Sequence, residues 1–181
     1  MSMTVIEHIE VGATPVASIS FISVGDIPSD YTDLLIVCSL RGNAASAYND
    51  SFIQINGDTS TAYSARALNG DGSSATSSST SGNANSGRIG FSVGNTATAS
   101  TFGSMQIYIP NYRSSVAKSI STEAATENNG GAYMNINAVL YTGTSPITSL
   151  SINGLFTSFV QYSSATLYGI TAGSDGTTTV S

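Results

Sequence analysis

Apolar and polar residues alternate with a period of two along most of this chain, and Gly, Asn, Asp and Pro interrupt the alternation at short intervals. A period of two puts successive side chains on opposite faces of an extended strand, whereas a helical face returns every 3.6 residues or so. Ile89, Phe91 and Val93 alternate with Arg88, Gly90 and Ser92; Met105, Ile107 and Ile109 alternate with Gln106 and Tyr108. Met134, Ile136 and Leu140 alternate with Tyr133, Asn135 and Asn137. Each stretch predicts a strand with one dry face and one wet or partner-facing face. The run Leu34-Leu35-Ile36-Val37-Cys38-Ser39-Leu40 is apolar at successive positions, which predicts a mid-sheet strand covered on both faces.

Further strands are predicted near residues 5–11, 19–24, 51–56, 63–68, 116–121, 147–152 and 164–171, about ten in all. Within residues 19–24 the apolar parity switches between Phe21 and Ile22, which predicts a bulge or a sheet-switching corner. Asn56-Gly57-Asp58, Asn69-Gly70-Asp71-Gly72, Asn129-Gly130-Gly131 and the segment from Gly25 to Asp30 supply left-handed conformations and side-chain caps for turns. The fold expected is all-β, a two-sheet antiparallel β-sandwich of jelly-roll type, because closing one sheet on another buries both apolar faces. The 181 residues fit one domain, expected over 1–172 with a C-terminal extended arm at 173–181. The Ser/Thr run at residues 73–81 has too little apolar area to offset its ordering entropy, so an exposed mobile loop, or a segment held by a neighbouring subunit, is expected.

Composition narrows the function. Charged residues make up 9% of the chain, against about 25% in ordinary soluble proteins. A surface of hydroxyls and amides costs less to desolvate than one of Lys and Glu, which suits a subunit covered by neighbours. The net charge is −6 and the five cations are scattered, so no nucleic-acid partner is expected. No apolar stretch approaches the roughly 18 residues of a membrane span, and no secretory signal is legible, so no membrane partner is expected either. Cys38 is the single cysteine and reads as a small buried side chain. Synthesis and folding in a reducing cytoplasm are expected.

Candidate chemistry is sparse. His8 is the only histidine, which excludes multi-histidine metal sites and leaves little for a histidine-dependent triad. Glu123 and Glu127 are the nearest approach to a glycosidase acid pair, but their segment runs into a Gly-rich turn and reads as one helical turn or a solvated loop. Asp26, Asp30 and Asp33 read as turn caps, and Asn69-Gly70-Asp71-Gly72-Ser73 lacks the alternating oxygen ligands of a calcium loop. No catalytic residue, metal ligand or cofactor is expected. Tyr133, Asn135, Asn137 and Tyr141 share one parity, and Tyr108 lies opposite its strand's apolar residues. These five are the candidate interface, since such a Tyr/Asn surface can pack against subunits or stack on sugar rings.

The stretches SISFISVGDIPSDYTDLLIVCSLRGN (18–43), IQINGDTSTAYSARALNGDGSS (53–74) and FVQYSSATLYGI (159–170) resemble a family of small virion proteins of tailed phages, especially those of cyanobacteria and other marine bacteria. The most specific parts are Tyr31 with Leu34, Ile55-Asn56-Gly57-Asp58 followed by Tyr63-Ser64, Phe159 to Tyr162, and Leu167-Tyr168-Gly169-Ile170. The resemblance implies a non-catalytic jelly-roll protein on the outside of the particle, either capsid decoration or cement, or part of a tail fibre. The long N-terminal adaptor and repetitive shaft of a full-length fibre are not seen, which moves the expectation toward capsid decoration. The implied partners are copies of itself, as a homotrimer, and the major capsid protein; the fibre alternative implies a host glycan.

Overall fold

The computed structural model describes residues 2–21, 27–129 and 132–172, and for Ser81, Gly82 and Asn83 the backbone only. Among the described residues there is no helix; there are twelve strands. In chain order these are β1 (Ser2–Glu10), β2 (Ser18–Phe21), β3 (Asp33–Leu40), β4 (Tyr48–Ile55), β5 (Tyr63–Gly70), β6 (Ala75–Ala84), β7 (Gly87–Val93), β8 (Gly103–Ile109), β9 (Lys118–Ala125), β10 (Met134–Tyr141), β11 (Leu150–Gly154) and β12 (Ser164–Thr171).

The strands form two sheets, as the period-two pattern predicts. An eight-stranded sheet runs β1-β12-β3-β8-β9-β10-β5-β6, and a four-stranded sheet runs β2-β11-β4-β7. Every strand-to-strand ladder is antiparallel. The pairing follows a rule once the hairpins β5-β6 and β9-β10 are set aside. The first remaining strand pairs with the last (β1 with β12), the second with the second last (β2 with β11), then β3 with β8 and β4 with β7. Chain order thus describes one long antiparallel hairpin, with β4-β7 at its tip, folded over so that alternate segments fall in opposite sheets. The two set-aside hairpins widen one sheet only, beyond β8.

The core lies between the sheets. Leu34, Ile36 and Leu40 of β3, Ile107 and Ile109 of β8, Ile120 of β9 and Leu167 of β12 face Ile19 of β2, Ile53 and Ile55 of β4, Ile89 of β7 and Ile152 of β11, all at most 1% exposed. Cys38 joins them, and burial pushes its thiol well above the ordinary range, so it is an inert packing group.

Four expectations need correction. β3 is mid-sheet, but Leu35 and Val37 are only half-buried, because the second sheet lies on one side of it alone. Residues 75–84 are not a loop but strand β6, hydrogen-bonded to β5; the turn before it is tied by Asp71, whose Oδ1 accepts the amides of Ser73 (2.9 Å) and Ser74 (2.7 Å). Backbone ladder bonds, not apolar burial, order that segment. The segment holding Glu123 is strand β9 rather than a helical turn. The strand expected near 116–121 starts at Lys118, and Val116 stands exposed before it. Residues 22–26, with the parity switch at Ile22, and the 173–181 arm lie outside the described residues.

Candidate functional site

The five residues of the candidate interface do not come together. Tyr108 is on the outer face of the wide sheet, 38% exposed, and its hydroxyl donates to Asp33 Oδ2 at 2.9 Å. Tyr133 precedes β10 and closes a cluster with Tyr48 (4.6 Å between ring centroids) and Phe91 (5.2 Å) at one end of the sandwich. Asn135, Asn137 and Tyr141 point inward and are buried. β10 therefore turns its amides to the interior and its large apolar side chains to solvent, the reverse of the facing expected from hydrophobicity.

The cause is tertiary. The β4-β7 ladder shifts register between Ser51 and Phe52, and Gly90 adopts φ +134° at this bulge. The bulge frees the Ile89 carbonyl from regular pairing, and two inward side chains of the opposite sheet bind it: Thr122 Oγ1 at 2.7 Å and Asn137 Nδ2 at 3.1 Å. Asn137 Nδ2 also donates to Thr122 Oγ1 at 2.9 Å, and Asn135 Nδ2 donates to Asn69 Oδ1 at 2.7 Å. A buried carbonyl left unpaired costs about 1–3 kcal/mol, comparable to burying one more aliphatic side chain. Bonding at the bulge thus accounts for Thr122 and Asn137 on the inner face, while Asn135 is held by Asn69; the Oδ1 atoms of Asn135 and Asn137 are buried without a partner among the described residues.

What this leaves outside is an apolar strip. Leu68 is 54% exposed, Met134 52%, Ile136 58% and Leu140 41%. Ile136 lies directly across from Leu68 in the ladder, with Met134 and Leu140 on the same face of β10. Toward the middle of the sheet the face continues through Glu123 and Ser121 of β9 to Gln106 and Tyr108, and then to Leu35 and Val37 of β3. Charge on this stretch is limited to Arg66 and Glu123 on either side of β10, and Asp33 beyond. The sequence did hold a clue: Leu68 has the opposite parity to Tyr63, Ala65 and Ala67 in β5, so one apolar set had to face out.

The acid and base candidates are dispersed. His8 is exposed on edge strand β1, bonded through Nδ1 to Thr166 Oγ1 at 2.7 Å. Glu123 is on the outer face of β9, while Glu127 accepts the Asn129 amide at 2.7 Å in the following turn. Asp33 accepts Tyr108 and the Asn111 amide. Asp26 lies outside the described residues. Among the described residues no three His, Cys, Asp or Glu side chains converge as metal ligands. One cleft of about 530 Å³ gathers Tyr48, Tyr133, Asp71, Glu127, Ser73 and Asn129. The Ser73 and Ser74 amides and hydroxyls hold the Asp71 carboxyl well below the usual carboxylate range, so Asp71 is an ionised turn cap, while Glu127 accepts the Asn129 amide of its own turn. Another, of about 580 Å³, lies between Pro28, Tyr112, Arg113 and Pro146 and contains a single charged side chain.

Compared with known proteins, the chain matches no family model, no curated protein and no solved structure.

Proposed function

We propose that this chain is a non-catalytic structural protein of a tailed-phage particle, a decoration or cement protein that sits on the outer surface of the capsid and stabilises the shell through protein-protein contacts. The single observation that carries the protein-contact part is the outward strip of Leu68, Met134, Ile136 and Leu140 beside a buried amide network. Contiguous exposed apolar side chains with a weakly charged surround mark interaction surfaces on soluble domains. The phage assignment rests on the three sequence stretches that resemble small virion proteins, and the homotrimer and the major capsid protein as partners come from the same source. We infer further that the folded-over hairpin is a jelly roll enlarged by β5-β6 and β9-β10; its first-with-last pairing order supports this.

Binding only to the assembled shell would raise the free energy needed to disrupt it, by mass action. The test is to add the purified protein to shells that lack it and to follow the temperature of genome release. A rise that saturates with added protein is expected; an unchanged release temperature would overturn the cement reading. A second reading, a receptor-binding subunit for host glycan, draws on the Tyr48, Tyr133, Asp71 and Glu127 cleft, where aromatic rings lie beside acceptor oxygens. Binding on a glycan array that is lost in Tyr133→Ala would favour it over cement.

A further inference from the structure

Sheet edges expose unpaired backbone donors and acceptors, and soluble proteins protect them with charge, proline, bulges or shortness. Three of the four edges described here are protected. β1 carries Glu7, His8 and Glu10 and a register shift between Val5 and Glu7. β2 is four residues long, and β7 carries Arg88, ion-paired with Asp50, and the Gly90 bulge. The fourth, β6, is ten residues long; its register shift against β5 falls beyond Thr80, and Arg88 Nη1 donates to Ser78 Oγ at 3.3 Å. It reads Ala-Thr-Ser-Ser-Ser-Thr-Ser-Gly-Asn-Ala, without a charge or a proline. It pairs in unbroken register with β5 from Ala75 to Thr80, and Ala75 to Ser79 are exposed. That is about 20 Å of flat, open edge.

The edge is also self-complementary. Thr76-Ser77-Ser78-Ser79-Thr80 is a palindrome centred on Ser78. Antiparallel pairing about a two-fold axis through Ser78 places Ser77 opposite Ser79 of the other copy and Thr76 opposite its Thr80. Hydroxyl-bearing pairs of this kind stabilise antiparallel strands, and a two-fold axis makes one patch serve both sides of an isologous contact. We propose that β6 is a strand-addition site whose occupant is β6 of a second copy of this chain, joining two eight-stranded sheets edge to edge. The axis then stands perpendicular to the sheet, so both outer faces lie on the same side. The two Leu68/Ile136 strips flank the joint, their β5 strands roughly 14 Å apart. This pairing does not depend on whether the partner of the outer face is a viral shell. It assigns two-fold contacts to β6, whereas a three-fold contact through this edge would need an unlike surface opposite it.

The test uses the full chain. Light scattering should give twice the mass of one chain, in a concentration-dependent equilibrium, and backbone amides of residues 75–80 should exchange more slowly as the two-chain species fills. Ser77→Glu with Ser79→Glu puts like charges directly opposite one another twice across the joint. Within one chain Ser79 lies across from Arg66 and Ser77 from Leu68, so the fold tolerates both. This variant should have a dissociation constant raised about tenfold or more, with unchanged circular dichroism. Mixing it with the Ser77→Lys, Ser79→Lys variant should restore a mixed two-chain species. A wild-type monomer, a two-chain mass that both variants retain, or a trimer whose 75–80 amides exchange freely would each overturn the proposal. Shell binding by a monomeric Glu variant would leave the cement reading standing, so the two fail separately.

Discussion

At the residue scale, the few charges of this chain do structural work inside it. Arg41 is 9% exposed and has no carboxylate partner among the described residues; its guanidinium donates to the carbonyls of Thr98 and Thr101 at 2.9 Å, and of Asn95 and Ala97 at 3.4 and 3.3 Å, drawing the 95–101 loop against the end of β3. Only a planar fork reaches carbonyls fanned out in this way. Arg41→Met should therefore lower the unfolding free energy by about 2–4 kcal/mol, measured by urea titration, and Arg41→Lys should recover little of it. Lys118 plays a similar part at the other end of the sandwich, donating to the carbonyls of Ser114, Val116 and Ser145, and burial lowers its pKa. Tyr63 and Tyr141 stack at 4.9 Å, and burial pushes both hydroxyls from an ordinary value of 10 up to about 12, with Asp58 adding to the shift at Tyr141. The folded state holds these protons more tightly than the unfolded chain. The resulting stability is whole below pH 10 and is lost as pH rises through about 12. Urea midpoints should fall across that window and fall less steeply in Tyr141→Phe; a flat profile would contradict the assignment.

At the element scale, β10 shows how a strand's facing is decided by its neighbours. Its own residues permit either facing, since Met134, Ile136 and Leu140 stand on one parity and Val139 and Tyr141 on the other. The bulge at Gly90, on a strand of the opposite sheet, selects the second. Gly90 has a conformation that side chains rarely adopt, and a Cβ there would come within 2.8 Å of the Ala124 Cβ. Gly90→Ala should cost about 2 kcal/mol or more and should disturb the Asn137 and Thr122 contacts, which side-chain amide NMR signals of Asn137 would report. The motifs that carry the virion-protein resemblance have framework roles. The Tyr31 ring lies directly over Gly169, where a Cβ would come within 2.3 Å of it. The Tyr63 hydroxyl accepts the Ile55 amide at 3.0 Å and donates to the Asp58 carbonyl at 3.2 Å, beside a turn whose Asn56 and Gly57 both have positive φ. Phe159 is fully buried and bridges to Val16. Such residues report how the chain folds.

At the scale of the whole molecule, the inward amides of β10 leave part of the wide sheet's outer face apolar and weakly charged. Leu68→Glu with Ile136→Lys puts opposite charges across the β5-β10 ladder at the centre of the strip, the cation also facing Glu123, so the unfolding free energy should stay within about 1 kcal/mol of the parent while, on the cement reading, binding to shells is lost, read by co-sedimentation. Retained binding would move the contact to another face. Much of the architecture was legible beforehand: period-two alternation gave most strands, and the Asn56-Gly57 and Asp71-Gly72 turns stand where turn chemistry put them. The facing of β10 was not, because polarity alone puts Asn135 and Asn137 outward, and both are buried. Strand β6 was missed because a Ser/Thr run has no apolar period, and its order comes from the ladder of β5. The sequence by itself determined an all-β chain with a two-sided pattern and its turns, since these follow from local alternation and backbone preference. Only the tertiary structure decided which side of β10 faces water and which edge stays open. Both depend on bonds to strands distant along the chain, and local periodicity carries no information about those.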